Sequence, residues 1–90
     1  VTVIGATITP CEGVNIAGYY SGAKEATRQA VNKWIRASGA FDGVIDFDAV
    51  VRDPDHPNRL LPRFASKDRL HPNDAGYKAM ADSINLNLFK

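Results

Sequence analysis

DRLHPNDAGYKAMADSI, residues 68–84, sets an aspartate and a histidine three residues apart where a helix begins. A turn brings residues i and i+3 within about 7 Å at Cα, so Asp68 and His71 can meet. A carboxylate that accepts from His71 Nδ1–H fixes the tautomer and leaves Nε2 as a base aimed elsewhere. Pro72 pushes His71 out of the helical region and supplies a fixed φ suited to a first helical turn. The same spacing also suits a plain helix start: Asn73 is a natural N-cap, and Lys67 or Arg69 could pair with Asp68 instead. From spacing alone both readings stand.

Working outward, the stretch 74–89 places Tyr77, Met80, Ala81, Ile84 and Leu88 on one face, which predicts a packed terminal helix. Upstream, the β-branched run from Val1 through Ile8 predicts a buried strand that ends at Pro10. Residues 11–22, punctuated by Gly13, Asn15, Gly18 and Gly22, read as a loop. From Ala23 to about Ser38, Ala26, Ala30, Val31, Trp34 and Ile35 recur at helical spacing, with Gly39 as the residue that closes the helix. On that stripe Trp34 reads as core. GVIDF at 43–47 predicts a second strand, and a long irregular segment rich in Asp, Pro and Arg runs from Asp48 to about His71.

Strand, helix, strand is a βαβ unit, which requires parallel strands and a right-handed crossover. Two parallel strands cannot close an α/β layer by themselves. The expectation is therefore that residues 1–90 are the C-terminal part of one doubly wound α/β domain, with the rest upstream. Exposed sheet edge and apolar surface should result unless another chain or a second copy covers them.

Composition removes several functions. Eleven Lys and Arg against ten Asp and Glu give a net charge of +1, with the basic residues scattered. Nucleic-acid and anionic-membrane binding both need clustered positive charge, so neither is expected. No apolar run approaches the roughly 18 residues that span a bilayer. VTVIGATITP lacks the charged and apolar regions of a signal peptide, and the compartment is left open. Cys11 is the single cysteine, which excludes an intrachain disulfide and metal sites built on paired cysteines. It reads as a small hydrophobe without a role.

The final block resembles that of the SGNH hydrolases, also called GDSL-type esterases and lipases. There an Asp-x-x-His-Pro sequence enters the last helix and is followed by Gly and an aromatic residue, as Gly76 and Tyr77 follow here. VTVIGATITP and AVNKWIRASGAFDGVIDFDAVVRDP are similar to the preceding strand, helix and strand of secreted and bacterial members. The resemblance covers nearly all of the chain. It implies a flavodoxin-like three-layer α/β/α fold, a carboxylic-ester hydrolase that acts on a small-molecule acyl ester, and no cofactor. It maps the catalytic base onto His71 and the orienting carboxylate onto Asp68.

The match fails at the nucleophile. The family carries Ser in a Gly-Asp-Ser block, and none exists among these residues. Ser21, Ser38, Ser66 and Ser83 each lie in another context. The Gly-x-Asn-Asp block that serves the oxyanion hole is absent too: Gly13-Val14-Asn15 is followed by Ile16, and reads as a turn. The serine esterase reading therefore places the Ser and oxyanion donors outside this segment and expects no turnover from the chain alone. Its rival is a catalytically inactive piece that assembles with the missing N-terminal part or with another copy. A metal site built from Asp68, His71 and Asp74 with Asp53, Asp55 or His56 lacks a closed four-ligand set and is not expected. His56 reads as solvated. Arg52, Arg59 and Arg63 suit either a solvated loop or contact with an acidic substrate.

Overall fold

The computed structural model describes residues 1–90. Strand β1 (Ile4–Ala6) pairs in parallel with β2 (Gly43–Ile45), in the register Ile4 to Gly43, Gly5 to Val44 and Ala6 to Ile45. Helix α1 (Gly22–Ala37) makes the crossover between them. After β2 come a short helix α2 (Phe47–Val51), a 3₁₀ turn at Pro62–Phe64, helix α3 (Asp74–Asp82) and a 3₁₀ turn at Leu86–Phe89. The architecture is α/β with parallel strands, as the element order requires.

The first strand is shorter than its β-branched run implies, and for a local reason. At Ile8 the backbone leaves the ladder: its N–H donates to Asn32 Oδ1 at 2.7 Å, and its C=O accepts from Asn32 Nδ2 at 2.9 Å. The side-chain amide of α1 imitates a neighbouring peptide and ends the strand. Val1, Val3 and Ile8, which flank β1, are exposed rather than buried.

Helix α1 starts where Ser21 Oγ accepts from Lys24 N–H at 3.1 Å, a cap that the loop reading of Ser21 missed. Gly39, at φ +72°, closes it as expected. The buried face of α1, however, carries Glu25, Arg28, Asn32 and Ile35. Of the expected apolar stripe Ile35 alone lies on that face: Ala26, Ala30 and Val31 are exposed, and Trp34 is 55% exposed. Trp34 is thus not core; it meets Phe41 edge-on, with ring centroids 5.6 Å apart.

A polar face can be buried here because its charges are matched. Arg28 binds Glu25 at 2.8 Å and Asp48 Oδ1 at 2.7 Å, while Arg36 and Arg52 reach Asp48 Oδ2 at 2.8 and 2.9 Å. No buried side-chain polar atom is left without a partner. Ile35, Ile45, Val51 and Leu60 fill the small apolar core beside this network.

Strand β2 stops at Ile45, two residues before the expected end, because Asp46 turns to capping. Its carboxylate accepts from Ala49 N–H at 3.2 Å, from Thr7 Oγ1 at 2.8 Å and from Arg36 Nε at 2.8 Å. Helix α2 follows inside the stretch read as irregular. The last helix is also shorter than 74–89, since the Ser83 N–H is shared between Ala79 and Met80 carbonyls. Asn85 then caps the terminal 3₁₀ turn by accepting from Asn87 N–H. Leu88 of that turn lies over Gly43, where a Cβ would approach Leu88 Cδ2 to 2.6 Å. Tyr77 is half exposed, so the predicted packed face is realised only in part, by Met80, Ile84 and Leu88.

Helix α3 is seated against the Pro62–Phe64 turn at Gly76. A Cβ there would lie 2.6 Å from the Phe64 carbonyl oxygen and 2.8 Å from Pro72 Cβ, neither of which can swing away. Gly76→Ala should therefore cost about 1–3 kcal/mol despite the better helix propensity of alanine. A urea unfolding midpoint unchanged by the substitution would contradict this seating.

Candidate active site

Residues 65–72 form a loop whose ends are tied by an antiparallel bridge between Ala65 and Pro72. Ser66 N–H donates to the His71 carbonyl at 3.0 Å, and Arg69 N–H to the Ser66 carbonyl at 3.0 Å. Asn73 fastens the base: its N–H donates to Phe64 O at 2.7 Å and its Nδ2 to Arg63 O at 2.9 Å. Its Oδ1 accepts from Gly76 N–H at 2.9 Å, so it is also the N-cap of α3. From the opposite side Asn15 N–H donates to the Asp68 carbonyl at 2.8 Å. The loop that carries Asp68 and His71 is thereby held to two other segments.

Within it, Asp68 Oδ2 and His71 Nδ1 are 2.7 Å apart. The other oxygen, Oδ1, accepts from Leu70 N–H at 2.9 Å and His71 N–H at 3.0 Å. Neither Lys67 nor Arg69 competes for the carboxylate. The hydrogen bond from His71, then those from the two backbone N–H groups, pull the Asp68 pKa down to about 2. An ionised Asp68 can only accept, so the bond places a proton on His71 Nδ1, and in the neutral ring that leaves the lone pair on Nε2. The ring is exposed and lines an open cleft with Ser66, Asn73, Asp74 and Tyr77.

The depressed value has a pH consequence. The bond to ionised Asp68 stabilises the turn above the unfolded carboxylate pKa, and that contribution is lost as pH falls toward 2. A ¹³C titration of the Asp68 carboxyl should show a midpoint near 2, and one near 4 would mean the turn does not hold this geometry.

Each of the four serines spends its hydroxyl locally. Ser21 caps α1, Ser38 Oγ accepts from Ala40 N–H, Ser66 Oγ donates to Pro72 O, and Ser83 Oγ donates to Met80 O. Ser66, which the sequence set aside with the other three, is the serine that lines the cleft with His71. Its hydroxyl is bound 3.0 Å from the Pro72 carbonyl and stabilises the loop. Gly13, at φ +86°, sits in a turn closed by Val14 N–H on Cys11 O, as its sequence suggested.

Residues considered as metal ligands do not gather: no three His, Cys, Asp or Glu side chains converge. His56 is exposed at the far end of the 53–59 loop. Arg52 and Arg59 are engaged, with Asp48 at 2.9 Å and Glu12 at 2.6 Å, while Arg63 stacks on Phe64. The bond to Arg59 holds the Glu12 carboxyl below its usual range. Burial, then Glu25, pushes the Cys11 thiol upward, which makes it less reactive. No helix is long and apolar enough to cross a membrane.

The family model for GDSL-like lipase/acylhydrolase matches residues 1–84. The chain belongs to this family. No curated protein sequence matches it. The matched span of this GDSL-like hydrolase includes the β1–α1–β2 unit and the loop that carries Asp68 and His71.

Proposed function

We propose that this chain supplies the acid–base half of a serine carboxylic-ester hydrolase. His71 is its general base and Asp68 the carboxylate that orients it. The Ser nucleophile and the oxyanion donors come from a segment outside these residues. In this reading residues 1–90 are one part of a single hydrolase domain with a flavodoxin-like three-layer arrangement. The observation that supports it best is the 2.7 Å contact between Asp68 Oδ2 and His71 Nδ1, with Oδ1 locked by two backbone N–H groups. The Oδ1 bonds to the N–H groups two and three residues on form an Asx turn, which leaves Oδ2 to orient the imidazole.

The chemistry follows from that geometry. His71 Nε2 takes the proton of an incoming serine hydroxyl as Oγ attacks the ester carbonyl. The imidazolium returns it to the departing alcohol, and the acyl-serine is then hydrolysed by a water that His71 deprotonates. Asp68 stays ionised throughout and stabilises the imidazolium. Without an oxyanion donor the tetrahedral anion loses about 3 kcal/mol per missing contact, so the chain alone should be inert.

The test is hydrolysis of an aryl ester by the purified chain, alone and with a polypeptide that carries a Gly-Asp-Ser block. Turnover that requires both, and requires His71, is the expected result. Robust hydrolysis by the chain alone would overturn the split site, and an active pair indifferent to His71→Ala would overturn the role of the histidine.

A second reading has its own observation. Val3, Val31 and Trp34 are exposed, and a two-stranded sheet leaves open edges. These favour a piece whose work is assembly, with the missing half or with a second copy. A monomeric mass in solution argues against obligate assembly.

A further inference from the structure

Beside the His71 cleft lies a second cavity, of about 490 Å³, within the range of small-ligand pockets. Ser66 lines both. Four nitrogen-bearing side chains border the second cavity: His56, Arg59, Lys67 and Arg69. Its acidic residues are Glu12 and Asp53. Glu12 is matched by Arg59 at 2.6 Å. Asp53 is turned to its own loop, where Oδ1 accepts from Asp55 N–H. Lys67 and Arg69 take part in none of the eight ion pairs of the chain. The lining thus holds two cations, Lys67 and Arg69, and one carboxylate, Asp53, that take part in no ion pair.

The placement of Arg69 is costly to the backbone. It is the one non-glycine residue at positive φ, +56°, a conformation that glycine or asparagine adopts far more readily. The left-handed turn points its side chain across Gly13, where a Cβ would stand 3.6 Å from Arg69 Nη1. A long cation is thus held in a strained turn, two residues from His71, with no carboxylate as its partner. Strain of this kind is retained where the geometry serves a purpose.

We propose that this cavity binds an anionic group of the ester substrate, a carboxylate or phosphate, through Lys67 and Arg69. Guanidinium and ammonium together suit such a group: the first supplies a planar fork of donors, the second a mobile point charge. The identification of the occupant as part of an ester rests on the function proposed above. The binding itself does not, and its test needs no turnover. Failure of ester hydrolysis would leave the anion site standing, and failure of anion binding would leave the base and its carboxylate standing.

The experiment is an NMR titration of the ¹⁵N-labelled chain with inorganic phosphate and, separately, with succinate, each against sodium chloride of equal ionic strength. Saturable shifts at the Lys67 and Arg69 amides with either anion support the site. Phosphate alone would point to a phosphate-bearing ester, succinate alone to a dicarboxylic one. Arg69→Gly removes the guanidinium while suiting the positive φ, and that relief offsets the added freedom of the unfolded chain, so the variant should fold about as well as the parent. It should weaken binding by about tenfold or more, as the loss of a charge-assisted bond does. Lys67→Gln should weaken it in the same direction, while Lys90→Gln, an equal loss of charge elsewhere, should not. Shifts that merely follow chloride, binding indifferent to both site variants, or an equal loss with Lys90→Gln would each overturn the proposal.

Discussion

In any preparation of this chain that turns over an ester, replacing His71 with alanine is expected to lower kcat by about 10⁴- to 10⁶-fold, with KM little changed. The reasoning begins at the serine proton. A hydroxyl attacks a carbonyl slowly unless a base removes its proton as the bond forms, and in the proposed site that base is His71 Nε2, with Nδ1 held 2.7 Å from Asp68 Oδ2. Asp68→Asn should cost a comparable amount through a different route. The side-chain amide can donate where the carboxylate could only accept, which turns the imidazole to the wrong tautomer. The two losses should not add, because Asp68 acts through His71: the double variant should be no slower than His71→Ala. Independent, additive losses would mean that the aspartate and histidine do separate jobs, and the triad reading would fail.

How far the sequence led can be judged at particular residues. The parallel βαβ order was legible because its two strands and helix differ in period, and β1 and β2 do pair as that order demands. The Asn73 cap and the meeting of Asp68 with His71 were legible because they are local: short spacing and Pro72 leave the backbone few choices. The outward face of α1 was not. Periodicity identifies a stripe but not which way it looks, and here Val31 and Trp34 look outward while Glu25, Arg28 and Asn32 look in. What reverses the usual order is Asp48, a residue distant in sequence whose charge makes a buried arginine tolerable. Strand ends were missed for the same reason. Asn32 ends β1 and Asp46 ends β2 through side-chain bonds that no count of β-branched residues reports. The cavity beside the loop was invisible as well, since it joins Glu12, Arg59 and Arg69 across long intervals of chain.

That dependence on Asp48 yields the largest stability effect to be expected. Asp48→Ala should destabilise the fold by about 3–5 kcal/mol. The carboxylate is almost wholly buried, at 2% exposure, and three guanidinium groups converge on it. Arg36 and Arg52 are about one-third exposed, and Arg36 keeps Asp46, so both can rehydrate at small cost. Arg28 cannot: at 7% exposure it would keep Glu25 and face an empty space where Asp48 stood. The penalty is therefore that of a buried charge robbed of half its compensation, not the sum of three ion pairs. For a domain of this size each kcal/mol moves the melting temperature by about 4–8 °C, so a fall of at least ~12 °C should be seen by circular dichroism. Asp82→Ala, which breaks an exposed pair with Lys78, should barely move it, as surface pairs are worth at most about 1 kcal/mol. A small shift for Asp48→Ala would mean that the polar face of α1 is solvated and that the helix is held by other contacts. In an active preparation the same variant separates scaffold from chemistry. Asp48 sits on α2, which packs against α3, and lies outside the Asp68–His71 turn. Its loss should reduce activity in proportion to the folded fraction and leave kcat per folded molecule unchanged, whereas His71→Ala should do the reverse.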